Sequence, residues 1–168
     1  SLLTVLERAH EYRCLAGELP TQDVVILRLI LAALYATFSR ADAEGRQKLL
    51  DNGEEALKRW KSLWEQKRFP IEPIKKRLCL YEDRFYLFHP ERPFYQVAGL
   101  ERGTNYSAAK LLGNLSESGN KVRLFPVRTG AAKYAITFAE GARWLIYLNA
   151  FDDTSSKPSV RGQGMPSP

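Results

Sequence analysis

Histidine, methionine and cysteine are scarce in these 168 residues, with two, one and two copies. Cys14 and Cys79 lie far apart and form no CxxC pair, so the closely spaced ligands of a structural zinc site are missing. One disulfide between them stays open, but two buried thiols in a cytoplasmic protein are the expectation. The nucleophile elbow G-x-S-x-G, the phosphate loop GxxxxGK[ST] and the zinc motif H-E-x-x-H are all absent. Gly162-Gln163-Gly164 supplies a GxG, but Met165 and Pro166 follow it where a dinucleotide site needs a helix. No run reaches the roughly 18 apolar residues of a membrane span. The longest apolar stretch, Val24 to Phe38, is broken by Arg28 and reads as a buried helix. Glu7 and Glu11 make the first residues a poor signal or transit peptide. These absences argue against an enzyme, and no metal, no cofactor and no membrane partner is expected.

What is there has a globular balance, 45% hydrophobic and 26% charged. The net charge of +6 is unevenly spread. Residues 1–57 hold 6 basic and 9 acidic side chains, whereas residues 58–168 hold 19 and 10. Such asymmetry suits a surface that meets a polyanion, nucleic acid being the commonest, although solvated lysines produce it too.

Periodicity predicts a mainly α fold with short β segments and long loops, an α+β class. Ser1 caps a first helix carrying Leu2, Leu3, Leu6, Ala9 and His10, which Gly17 and Pro20 end. A central helix runs from Asp23 to Ser39, and residues 40–53 form a turn with a short helical piece. Glu54 to Lys67 is amphipathic, with Leu57, Trp60 and Trp64 on one stripe. Pro73 suits the first turn of another helix reaching about Leu80. Phe85 to Phe88 and Pro93 to Val97 are aromatic, proline-bounded and extended in character. Ser107 to Leu112 reads as a short helix, Val122 to Phe125 as a short strand. Thr137 and Glu140 form a capping box that opens a last helix with Trp144, Leu145, Leu148 and Phe151. Leu57, Trp60, Trp64, Trp144 and Leu148 are the predicted core. The chain opens in a helix and closes on a run without periodicity. Residues 1–168 are therefore read as one partial domain, truncated at both ends.

His89, Cys79, Glu82 and Asp83 lie near one another in sequence, but ordinary structural roles explain them better than a metal or nucleophile site. The basic run from Lys58 to Arg77 is either a solvated face or a phosphate-facing one. Two loops stand out: residues 119–130, with Lys121, Arg123 and Arg128 between two glycines, and residues 157–168, with Lys157, Arg161, Gly162 and Gly164. Positive, glycine-bearing loops suit the close approach of a phosphate backbone.

The stretches YEDRFYLFHPERPFYQVAGL, SGNKVRLFPVRTG, FAEGARWLIYLNAFDDTSSKP and RGQGMPSP resemble the amino-terminal domain of the CasA family, the large subunit of type I-E CRISPR Cascade. SLLTVLERAHEYR, LPTQDVVILRLILAALYATF and LWEQKRFP are similar to the same family in the same order, so the resemblance covers nearly the whole chain. It implies a non-catalytic, cytoplasmic DNA-reading subunit of an RNA-guided complex. Such a subunit senses a short motif, the PAM, from the minor groove, aids duplex opening and recruits the helicase-nuclease. The implied partners are double-stranded target DNA, the 5′ handle of the guide RNA, other Cascade subunits and that helicase-nuclease. The resemblance carries nucleic-acid contacts onto Asn120, Lys121, Arg123, Leu124, Phe125 and Arg128, in the loop family members place near the PAM and the guide handle. It carries a further set onto Lys157, Arg161, Gly162, Gln163 and Gly164, around a glycine-rich loop that enters the minor groove. The alternative is a structural protein-interaction module with a basic surface and no direct DNA contact.

Overall fold

The computed structural model describes residues 1–100, 106–117 and 121–151. The chain divides into two compact units, one spanning Ser1–Phe85 and one beginning at Tyr86; each is taken in turn.

In the first unit, the Ser1 hydroxyl accepts the amide of Thr4 at 3.2 Å and starts α1, Leu2–Glu7. A 3₁₀ turn follows at Ala9–Glu11. Pro20 does not end this segment but opens the next helix, α2, Pro20–Phe38, where its missing N–H costs nothing. Asp23 and Gln22 reach back from the first turn of α2. Their side-chain oxygens accept the amides of Gly17, at 2.7 Å, and Glu18, at 3.2 Å. By length and composition alone α2 is apolar enough to cross a membrane, against the expectation that no run would be. One side of it packs as a core helix does, burying Val25, Ala33, Leu34 and Phe38, and helices of both kinds need this composition.

Residues 40–48 form a tight turn in place of the expected helical piece. The Asp42 carboxylate accepts the amides of Glu44 and Arg46 at 3.1 and 2.9 Å. Gly45 adopts φ 81°, and Ala41 bridges Gln47 antiparallel. Local capture of backbone donors by aspartate outcompetes a helix here.

α3, Gly53–Glu65, is capped by Asn52, which accepts the Glu55 amide at 3.0 Å. Its buried face differs from the predicted stripe. Leu63 and Arg59 are buried and Ala56 half-buried, whereas Leu57 and Trp64 are exposed, Trp64 at 76%. At about 100° per residue, Ala56 and Leu63 lie some 40–60° to one side of Trp60, and Leu57 and Trp64 about as far to the other. The core meets the first side. Arg59 belongs there because its Nη1 donates to the carbonyl of Phe38 at 2.8 Å, satisfying an acceptor at the carboxyl end of α2. α4, Ile71–Cys79, completes the unit and buries Ile74. The core joins Leu6, Ala33, Leu34, Phe38, Leu63 and Ile74, with the half-buried Trp60 edge-on to Tyr35 at 5.0 Å and to Phe38 at 6.1 Å. Both cysteines are exposed and free, contrary to the expected burial. Cys14 sits in the irregular link between α1 and α2, and Cys79 is the last residue of α4, so neither occupies a core-facing position.

In the second unit the aromatic segments are folded into turns. The amide of Phe94 donates to the Tyr86 carbonyl at 2.9 Å, and the Gln96 side chain donates to the Leu87 carbonyl at 2.8 Å. His89 Nδ1 accepts the amides of Glu91 and Arg92, a turn-holding role for the residue singled out beside Cys79. α5, Ala108–Leu111, leads into a turn whose Leu112 and Leu115 are fully buried. α6, Phe138–Phe151, buries Trp144 and Ile146, with Leu148 half-buried. Phe138 is edge-on to Phe88 at 5.5 Å. A Cβ at Gly113 would strike the ring of Tyr147 and lie 2.8 Å from that of Trp144, so only glycine lets the turn after α5 sit on α6.

Among the described residues no strand forms, so the helical component of the predicted class stands and the short β segments find no support there. Val122 to Phe125 is not in a strand, and the amide of Arg123 donates to the Glu117 carboxylate at 3.0 Å.

Candidate nucleic-acid interface

The loop from Lys121 to Gly130 is pinned at two points. At the first, Glu117 is buried, and its carboxylate accepts Lys133 Nζ at 2.8 and 3.1 Å and the amide of Arg123 at 3.0 Å. The Lys133 ammonium, then the Arg123 amide, hold this carboxyl below the usual range. Arg123 also turns its own Nε back onto the carbonyl of Leu115 at 2.8 Å. At the second point, Glu140 accepts both the amide and the hydroxyl of Thr137, at 2.8 and 2.9 Å, while its own amide donates to the Thr137 hydroxyl at 3.2 Å. This is the predicted capping box. The other Glu140 oxygen accepts Arg128 Nη2 at 3.0 Å. The Thr137 amide and hydroxyl, then Arg128, pull the Glu140 carboxyl down to about 2.

The two arginines of the loop are thus both engaged by the protein itself, Arg128 half-buried and Arg123 still exposed. Outward stand Lys121 and an apolar tip, with Leu124 and Phe125 about nine-tenths exposed and Val122 and Val127 exposed beside them. Of the predicted contact residues, the structure brings together Lys121, Arg123, Leu124, Phe125 and Arg128. Asn120, Lys157, Arg161, Gly162, Gln163 and Gly164 lie outside the described residues. Glu117 and Lys133 are anchors that sequence reasoning misses. No spacing in the sequence marks them, because the pair is 16 residues apart and only the fold closes it. Glu140 is legible as a cap, and its second bond, to Arg128, is not.

Three members of the basic run of α3 and α4 are engaged within the protein, while Lys61, Lys67, Arg68, Lys75 and Lys76 are exposed. Lys58 pairs with Glu54 at 2.7 Å, Arg59 is buried, and Arg77 lies over the ring of Tyr81. Among the described residues no group of three or more His, Cys, Asp or Glu side chains is placed to hold a metal ion.

Residues 1–166 match the family model described as CRISPR-associated protein Cse1. The chain belongs to the Cse1 family. A CasA/Cse1 protein of Thermus thermophilus is 36% identical over 146 residues, which is 87% of this chain and 26% of the relative. The crystal structure of Thermobifida fusca Cse1 superposes with a TM-score of 0.69 at 30% identity, covering 92% of this chain and 26% of that one. Thermus thermophilus CasA gives a TM-score of 0.61 at 32% identity, covering 90% and 26%. The chain therefore spans about a quarter of the length of the relatives it matches. The resemblance read from the sequence is borne out at the level of family and of helical fold.

Proposed function

We propose that the chain contributes to a non-catalytic subunit of the Cascade complex that reads target DNA, senses the PAM from the minor groove, aids duplex opening and recruits the helicase-nuclease. Membership of the Cse1 family supports this reading, and so does the pinned loop at residues 121–130. A loop held at Glu117 and Glu140 presents Lys121, Leu124 and Phe125 in one arrangement, so little ordering entropy is lost when nucleic acid meets it. Lys121 supplies the phosphate contact, and Leu124 and Phe125 supply apolar contact with a base step or sugar. Arg123 and Arg128 act through the loop's shape. The glycine loop at Gly162 and Gly164 belongs to the same proposal by resemblance.

The test uses the full-length protein in the assembled complex, with matched and mutated PAM targets over a range of salt. Lys121→Ala is expected to reduce the log–log salt slope by about 0.9, one lost phosphate. Arg128→Ala is expected to weaken binding while leaving the slope unchanged. Equal slope losses in both variants would mean that Arg128 leaves Glu140 for phosphate. Unchanged binding after Lys121→Ala combined with Leu124→Ala and Phe125→Ala would remove the loop from DNA reading. The exposed Leu124–Phe125 tip would then favour a protein-interaction module.

A further inference from the structure

The first unit contains a cavity that the DNA-reading proposal does not use. It has a volume of about 300 Å³, is walled by Trp60, Leu63, Phe69 and Ala9, and has His10 at its edge. Its mouth is formed by Trp64, Lys67 and Arg68, where α3 ends. Trp64 is three-quarters exposed, with Lys67 Nζ 5.1 Å from its ring centroid. Arg68 Nη2 lies 3.2 Å from His10 Nε2. The Glu11 carboxylate is engaged by Arg8 at 2.7 Å and stands 3.8 Å from His10.

We propose that this cavity is a docking site for an acidic segment of a partner protein, with one bulky apolar side chain inserted between Trp60, Leu63 and Phe69. The chemistry decides the class of occupant. The walls are hydrocarbon and aromatic ring, so a group entering them must be apolar; a fully hydrated anion would lose its water without replacement. A nucleobase would fit by size, but it would meet the charged and imidazole partners His10, Lys67 and Arg68 only at the rim, and its polar groups held between Leu63 and Phe69 would be left unsatisfied. A phenylalanine or leucine side chain makes no such demand. Outside the cavity, Lys67 and Arg68 present two cations, and Glu11 beside His10 is already paired with Arg8, so the flanking residues of the occupant should be carboxylates. An exposed tryptophan beside an arginine at the rim of an apolar pocket is also the composition of a binding hot spot. This inference is independent of the loop at residues 121–130.

The test measures binding of a fluorescein-labelled dodecapeptide, Asp and Glu around a single central Phe, to the full-length chain by fluorescence anisotropy. Two control peptides replace the Phe by Ala or the acids by Asn and Gln, and a hexameric oligouridylate is titrated in parallel. Saturable binding of the acidic Phe peptide is expected, weakened about tenfold by Trp64→Ala and again about tenfold by Lys67→Glu with Arg68→Glu, each tenfold being about 1.4 kcal/mol. These positions are exposed, so the variants should keep the far-ultraviolet circular dichroism of the parent. Both control peptides should bind at least about tenfold more weakly. Absence of binding to the parent chain, as when the chain's own further segments cover the cavity, overturns the proposal. So does binding that is indifferent to Trp64→Ala or to loss of the Phe. Trp64-dependent binding of oligouridylate in place of the peptide would make the cavity a base-stacking site and overturn the proposal equally.

Discussion

Trp64 and Trp144 carry the same side chain and opposite roles. Trp144 is fully buried in the second unit, edge-on to Tyr147 at 5.2 Å, while Trp64 rims a cavity in solvent. Replacing Trp144 by Ala is expected to cost on the order of 3–5 kcal/mol, as large-to-small core substitutions do. Replacing Trp64 by Ala should change stability by no more than about 0.5 kcal/mol, the usual range for exposed positions. Chemical denaturation of the two variants checks both values, and a large loss for Trp64→Ala would return that residue to the core. Gly113 is constrained differently: a methyl group there would enter the space of Tyr147 and Trp144. Gly113→Ala should destabilise by about 1–3 kcal/mol through overpacking. Melting indistinguishable from the parent would show that α6 shifts at no cost.

At the scale of elements, the start of α6 and the interface loop are one device. Thr137 and Glu140 cap the helix reciprocally, and the same Glu140 carboxylate holds Arg128. Thr137→Ala should therefore cost about 1 kcal/mol, the usual value of a lost cap. Glu140 is lowered from its ordinary 4.5 to about 2 in the folded chain. A carboxyl lowered by folding contributes its stabilisation above the ordinary value and loses it as pH falls towards the folded one. The latch should thus be complete at neutral pH and open only between about pH 4.5 and 2. Carbon-detected titration of the Glu140 carboxyl should show a midpoint near 2 in the parent and a higher one after Arg128→Met or Thr137→Ala. An ordinary midpoint in the parent would mean that loop and helix are not joined. The capping box is visible in the sequence because its partners sit three residues apart. The ion pair to Arg128 is not, since 12 residues separate it and nothing local specifies which oxygen remains available.

At the scale of the whole chain, family, helical character and most helix positions are legible in the amino-acid sequence alone. Apolar spacing, proline placement and capping residues are local signals, and α2, α3, α4 and α6 all begin within three residues of where those signals put them. The excess of positive charge beyond residue 58 is equally plain there. Which cations face outward is decided by tertiary structure: Arg59 ties α2 to α3, Arg123 and Arg128 hold a loop, and Lys121 remains at the surface. The same holds for the phase of α3. A stripe of Leu57, Trp60 and Trp64 and one of Ala56, Trp60 and Leu63 both have helical spacing, and only the shape of the surface supplied by α1, α2 and α4 selects between them. Sequence periodicity determines that a helix forms and roughly which half is apolar. Rotation of that helix by about one residue spacing, and the pairing of charges far apart in the chain, depend on contacts that exist only once each unit has packed.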